Sequence, residues 1–358
     1  MKNNFINTIK IKVAYILICA IFFNIILSSC SINEKNFSSI SDTSFISSES
    51  NIFSKSDNSD ETNIEIESNI KYKEETKIIA DYSTFSCPYI VDNEFIEFDI
   101  KHKFNVSEEN LYLQKCKIAT FSIFLDKLNY FNNLKYIDLT DCNLSNEEIF
   151  SIKEVFPNIN VVWEVSLGQW KVRTDAIGFT TNLVLGEYVK LLTSDDLYNL
   201  KYCSSLIGLD LGHHLIGDIS PICDNLPNLK VLILAGNQIK DISPIKKLKH
   251  LKYLELFKND IVDLQPLKEL NELVDLNICY NLNLENIEPI LNLPNIERLW
   301  IGHCKFSDEA IKSAYDSYPN ATIALDGEGS TYYGWREHPR YFAMRELLIF
   351  NKDSDLFK

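Results

Sequence analysis

Three groups of residues carry side chains able to do chemistry. Near the C-terminus, Gly334-Trp335-Arg336-Glu337-His338-Pro339-Arg340-Tyr341 brings a guanidinium, a carboxylate and an imidazole together, the types used in general acid–base catalysis. His213 and His303 hold the same place in two similar segments. Four strand spacings of about 4.8 Å would separate them by roughly 19 Å, too far to share a metal ion. The third group is the thiols: Cys87, Cys116, Cys142, Cys203, Cys223, Cys279 and Cys304 follow Cys30, and no Cys-x-x-Cys occurs. Seven thiols cannot all pair, and those on distant strands cannot bridge. Buried free thiols are therefore expected, with no metal and no cofactor. His214 reads as a buried hydrogen-bonding residue, and His102 and His250 as exposed surface. Nucleophile elbow, zinc-protease, phosphate-loop and dinucleotide signatures are all missing from the sequence.

These residues sit on a strongly periodic chain. Leu206-x-x-Leu209-x-Leu211 recurs as Leu229-x-x-Leu232-x-Leu234, Leu251-x-x-Leu254-x-Leu256 and Leu273-x-x-Leu276-x-Ile278. Ile296-x-x-Leu299-x-Ile301 follows, and Leu134-x-x-Ile137-x-Leu139 stands upstream. Alternating apolar residues predict a short strand with every second side chain in the core. Three residues beyond each strand comes a ladder position: Cys142, His214, Asn237, Asn259, Asn281 and Cys304. An amide there satisfies backbone groups where the chain turns. Asp218-Ile219-Ser220-Pro221-Ile222 recurs as Asp241 to Ile245, Asp263 to Leu267 and Asn286 to Ile290. Its proline fixes φ as the return turn opens.

Residues 134–164 align with 296–326 at a constant offset. Ser145 and Ser307 open longer return segments with acids in the first turn, which predicts true helices there and tighter turns in the four units between. Residues 165–205 read as an insert, with a helix from Thr193-Ser194 to about Tyr202. Leu111-x-Leu113-x-x-Cys116-x-Ile118 reads as a degenerate first unit.

This pattern resembles the leucine-rich repeat, in the 22-residue form of bacterial internalin-like surface proteins. The resemblance implies an α/β solenoid: a curved parallel sheet on the concave side, turns and short helices on the convex side, and capping ends. The N-terminal cap would span 76–133, the array 134–326 with its insert, and the C-terminal cap 327–358. Pro339 suits a first helical turn, and Tyr341, Phe342, Met344, Leu348 and Ile349 would supply the cap's apolar stripe.

The N-terminus reads as an address. Lys2, Lys10 and Lys12 precede an apolar run from Val13 to Leu27, short for a membrane span and suited to a signal peptide over 1–29. Leu27-Ser28-Ser29-Cys30 resembles a bacterial lipobox, which implies that Cys30 is lipidated and the mature chain is held at the extracytoplasmic face of the cell membrane. Residues 30–75, rich in Ser, Asn and acids, read as a disordered tether.

With 35 basic and 50 acidic residues the net charge is −15. That balance disfavours a nucleic-acid partner, which needs a basic stripe. The expected function is non-catalytic recognition of a protein or peptide through the concave face. Tyr253, Glu255, Phe257, Asp275, Tyr280, Arg298, Trp300 and His303 fall on adjacent strands and are expected to face solvent there. Clustered exposed aromatics are typical of binding hot spots. Two alternatives are glycan binding, with Trp300, Tyr253 and Tyr280 stacking on sugar rings, and an enzyme with its site in the insert or the tail.

Overall fold

The computed structural model describes residues 90–92, 94–182, 190–325 and 334–357. The segments read as signal peptide and tether, with Cys30 and Cys87, lie outside them. The described chain opens with an antiparallel sheet of β1 (Ile90–Asp92), β2 (Phe95–Asp99) and β3 (His102–Asn105). It packs on the start of the array through aromatic rings. Phe98 lies 5.5 Å from Phe124 and 6.1 Å from Phe131, with Phe124 on the short helix α1 (Phe121–Leu128).

The repeats then form parallel strands. β4 (Asn110–Tyr112), β5 (Tyr136–Asp138) and β6 (Asn160–Val162) make one sheet. The hairpin β7 (Glu164–Leu167) and β8 (Trp170–Arg173) follows. A seven-stranded sheet begins at β9 (Gly178–Thr180) and runs in chain order through β10 (Gly208–Asp210), β11 (Val231–Ile233), β12 (Tyr253–Glu255), β13 (Asp275–Asn277), β14 (Arg298–Trp300) and β15 (Thr322–Ala324). Leu209, Leu232, Leu254, Leu276 and Leu299 are partners in consecutive rungs, each with no exposed surface. Burying each contributes on the order of 1.5–3 kcal/mol, which no single repeat could collect alone. The segment read as an insert supplies β9, paired with β10 in register Gly178↔Gly208, so part of it is a rung of the array.

The ladder amides do the work their spacing implies. Asn259 accepts from Ile239 N–H at 3.1 Å and donates to the carbonyls of Leu234 and Leu256, both at 3.0 Å. Asn281 repeats this with Ile261, Leu256 and Ile278. The thiols of Cys142 and Cys304 donate to Leu113 and Ile278 carbonyls. The residue before each ladder position adopts positive φ, at Lys115, Asp141, His213, Lys258, Tyr280 and His303 as well as Gly236. Only one of these seven is glycine, so the type gives no hint of the conformation.

On the convex side Ser145 caps α2 (Asn146–Val155) through a reciprocal box with Glu148, and Ser307 caps α4 (Asp308–Ser317). The units between return through the one-and-a-half-turn helix α3 (Ser220–Asn225) and 3₁₀ turns at Ser243–Lys247, Gln265–Leu267 and Glu288–Ile290. In three of the four units the acid ahead of the proline has a job: Asp218, Asp241 and Asp263 accept from the N–H two residues on at 2.7–2.8 Å. The helix expected from Thr193 is a 3₁₀ helix, Ser194–Tyr202, whose cap pairs Thr193 with Asp196.

The C-terminal segment departs from expectation. Helix α5 (Pro339–Phe350) lies over β9 and β10 on the concave face, so it covers the sheet instead of capping an end. Glycine permits this approach. A methyl group on Gly178 would overlap the Leu347 carbonyl, and one on Gly208 would come within 2.7 Å of Leu347 Cδ2. Asn351, left-handed at φ 53°, ends the helix and accepts from Ile177 and Gly178 N–H at 2.9 and 3.0 Å. The buried stripe of α5 is Ala343, Met344, Leu347 and Leu348; Phe342, expected within it, is 57% exposed.

Candidate recognition face on the concave side

A second apolar cluster forms between the concave face and this segment. It joins Val231, Tyr253, Phe257 and Trp300 of the array to Trp335, Leu347 and Phe357. The sheet is therefore buried on both faces, the usual state of a parallel sheet. This corrects the expectation that the aromatic patch faces solvent. Tyr253, Glu255, Phe257, Asp275, Arg298 and Trp300 are all buried. Tyr280 is half-buried and His303 exposed, with their rings stacked at 4.2 Å. These two stay at the surface because they occupy the left-handed turn beyond the strand, outside the strip that Trp335 covers.

Trp335 has no exposed surface. Its ring lies 5.4 Å from Tyr253 and 4.9 Å from Trp300, and its Nε1–H donates to Glu255 Oε1 at 2.7 Å. The Tyr253 hydroxyl donates to the same oxygen. Burial pushes the Glu255 pKa up, against the two donors, which favour its charged form. The Arg298 guanidinium sits 4.4 Å above the Trp335 ring and donates to the Trp335 carbonyl at 3.0 Å.

Asp275 is the centre of charge. Arg298 grips its two oxygens at 2.8 and 2.7 Å, and Arg340 of the segment does the same at 2.7 and 2.8 Å. Burial alone would raise the Asp275 pKa, but the two guanidiniums outweigh it and hold the carboxyl below its ordinary value. Arg340 also reaches Glu297 at 2.7 Å. On β10, Asp210 accepts from Gly212 N–H, Asn182 and Thr180, so this acid shapes its own turn.

The tail residues that looked catalytic do not converge. Arg336 and Glu337 are exposed, while His338 caps α5 by accepting from Arg340 N–H at 3.2 Å. His214 lies between Leu192 N–H and the Thr181 hydroxyl, against the edge of Trp170. Burial pushes its pKa down to about 4. Trp335 and Arg340 are the tail side chains that engage the concave face, a part the sequence reading did not give them.

Comparison with known proteins identifies the repeats. Residues 204–247 and 227–269 match the family described as Leucine Rich repeats (2 copies). With the register above, these residues are leucine-rich repeats, and the array has the α/β leucine-rich-repeat fold. Among solved structures, internalin C2 of Listeria monocytogenes is 23% identical, with 61% of this chain and 80% of that one covered and a TM-score of 0.34. An internalin of the same organism, inlF, is 18% identical over 58% of this chain and 54% of that one, TM-score 0.33. The Arabidopsis receptor kinase HAESA, solved with the peptide hormone IDA and the co-receptor SERK1, is 20% identical over 56% and 27%, TM-score 0.28. The chain thus spans about half of the inlF structure and about a quarter of HAESA. No curated protein matches it.

Proposed function

We propose that this protein recognises a protein or peptide partner, without catalysis, through the concave side of its repeat array. The supporting observation is that the face already holds a polypeptide: Trp335 sits in a pocket of Tyr253, Glu255 and Trp300, and Arg340 grips Asp275. Such a surface suits a basic, tryptophan-bearing segment, and a partner of that chemistry competes with the chain's own tail. Solenoids offer extended concave surfaces of this kind for binding.

The test uses a labelled synthetic peptide of residues 334–357. The wild-type chain, its face filled, should not take it up. The double variant Trp335→Ala, Arg340→Ala, whose own segment is loosened, should bind it with measurable affinity. If neither chain binds the peptide, the face is not an exchangeable receptor. The glycan reading is less well supported, because Trp300 and Tyr253 lie beneath Trp335, and of its three rings Tyr280, stacked on His303, is the one left at the surface. For the enzymatic reading the tail offers exposed Arg336 and Glu337 and a His338 whose Nδ1 caps α5.

The same proposal places the protein at the outer face of the cell membrane through lipid on Cys30, on the strength of the signal sequence and lipobox. Cys30→Ala should move the protein from the membrane fraction to the soluble one; retention would reject the anchor.

A further inference from the structure

The N-terminal hairpin and the first rung bring three unlike donor groups together. Asp99 ends β2, His102 begins β3, and Cys116 lies in the turn after β4. One ligand atom from each, a carboxylate oxygen, an imidazole nitrogen and a thiol sulfur, all fall within 4.8 Å of one another. His102, expected at the exposed surface, is instead half-buried, with Nδ1 2.7 Å from Asp99 Oδ1. We propose that Asp99, His102 and Cys116 form a binding site for a zinc-like divalent cation.

The donor set decides the class of ion. Sulfur with imidazole selects borderline metals such as zinc over calcium or magnesium, which take oxygen cages. Three protein ligands leave a fourth position for water. Access is graded: Cys116 is 1% exposed, while the Asp99 and His102 side chains retain 21% and 15% of their surface. An ion therefore enters from the solvent side and meets the thiol last.

The surrounding backbone already orients the carboxylate. Lys101 and His102 N–H donate to Asp99 Oδ1 at 2.8 and 3.0 Å, and Lys117 N–H donates to Oδ2 at 3.1 Å. Such outer hydrogen bonds are what hold a ligating carboxylate in place. They come from two separate stretches, the β2–β3 turn and the residue after Cys116. Ligation replaces the Cys116 S–H bond with a sulfur–metal bond and releases the proton to water. The ion would staple the N-terminal sheet to the first rung, a join otherwise made by Phe98 and its neighbours. Lys127 is the nearby cation that opposes it, and its ammonium is drawn aside to the Glu97 carbonyl at 2.6 Å.

The test is titration of the full chain, purified free of metal, with cobalt(II) and then zinc. The expected result is about one equivalent bound, with a thiolate-to-cobalt charge-transfer band that zinc abolishes. Cys116→Ser should remove the band, and His102→Gln, at a half-buried position outside the apolar core, should weaken binding by about tenfold or more. A wild-type chain that takes up no cobalt or zinc overturns the proposal. So does a band that persists in Cys116→Ser, which would assign the ion to another thiol, or unchanged affinity in His102→Gln.

Discussion

Tyr136 and Tyr253 hold the same place in their repeats, each followed two residues later by an acid, Asp138 or Glu255. Their surroundings differ. Tyr136 stays half-buried beside Tyr112, which is 55% exposed, and its hydroxyl accepts from Arg173 at 3.3 Å. Arg173 keeps 37% of its side-chain surface while pairing with Asp138. Tyr253 is wholly buried under Trp335, and Arg298 beside it retains 4%. One repeat chemistry thus yields a wet, adjustable surface over β5 and a dry, locked one over β12 to β14. What separates them is the fate of a segment some eighty residues further along, which no repeat encodes.

The largest test of this contrast is removal of the central acids. Asp275→Ala leaves two guanidiniums facing each other in a dry site and should cost about 3–5 kcal/mol. Asp138→Ala, with Arg173 free to turn to water and Asp175, should cost about 1–2 kcal/mol. Urea unfolding of both variants measures the gap, and equal losses would erase the distinction. Next, Gly178→Ala places a methyl group against the Leu347 carbonyl and should expel α5. Hydrogen exchange across residues 339–350 should rise by about tenfold or more while the central strands stay protected.

Acid provides a third test. The Asp275 carboxyl is held below its ordinary value, so its stabilisation is present above pH of about 4 and is lost as pH falls through the lowered value. Glu255 is pushed the other way, so its contribution is present at low pH and fades as pH rises through its raised value. Exchange in α5, corrected for the intrinsic rate, should therefore accelerate at strongly acid pH through Asp275 and again as pH rises through Glu255, and Asp275→Asn should abolish the acid acceleration alone. The smallest effect belongs to the turns. Lys258→Gly relieves a left-handed residue at φ 56° and should stabilise by about 0.5–1 kcal/mol, measured as a small rise in melting temperature.

The rungs were legible because their signal is local and repeated. Leu209, Leu232, Leu254 and Leu276 announce a sheet by spacing alone, and Ser145 and Ser307 mark the two long helices. The left-handed turns were not legible, because Lys258 and Tyr280 carry no preference for positive φ; the next rung's carbonyl, accepting their N–H at 2.8 and 3.0 Å, imposes it. The covered face was also hidden. Alternation places Tyr253 and Trp300 on the outer side of the strand correctly, but a periodic pattern holds no information on a distant segment that returns across it. Only Gly178 and Gly208, small where a strand favours bulk, hinted that something lies close above.

The tail also sets a length. Asn351 is bonded at β9 and Arg340 at β13, strands four spacings apart, or about 19 Å. The eleven residue steps from one anchor to the other span about 17 Å as helix. A solenoid left alone bends like a spring, whereas this one carries a strut across its arc, fastened at both ends. Excising or adding a single 22-residue unit between the fastenings would shift one anchor by a full rung, so the number of units here is counted by a part of the chain that contains none of them.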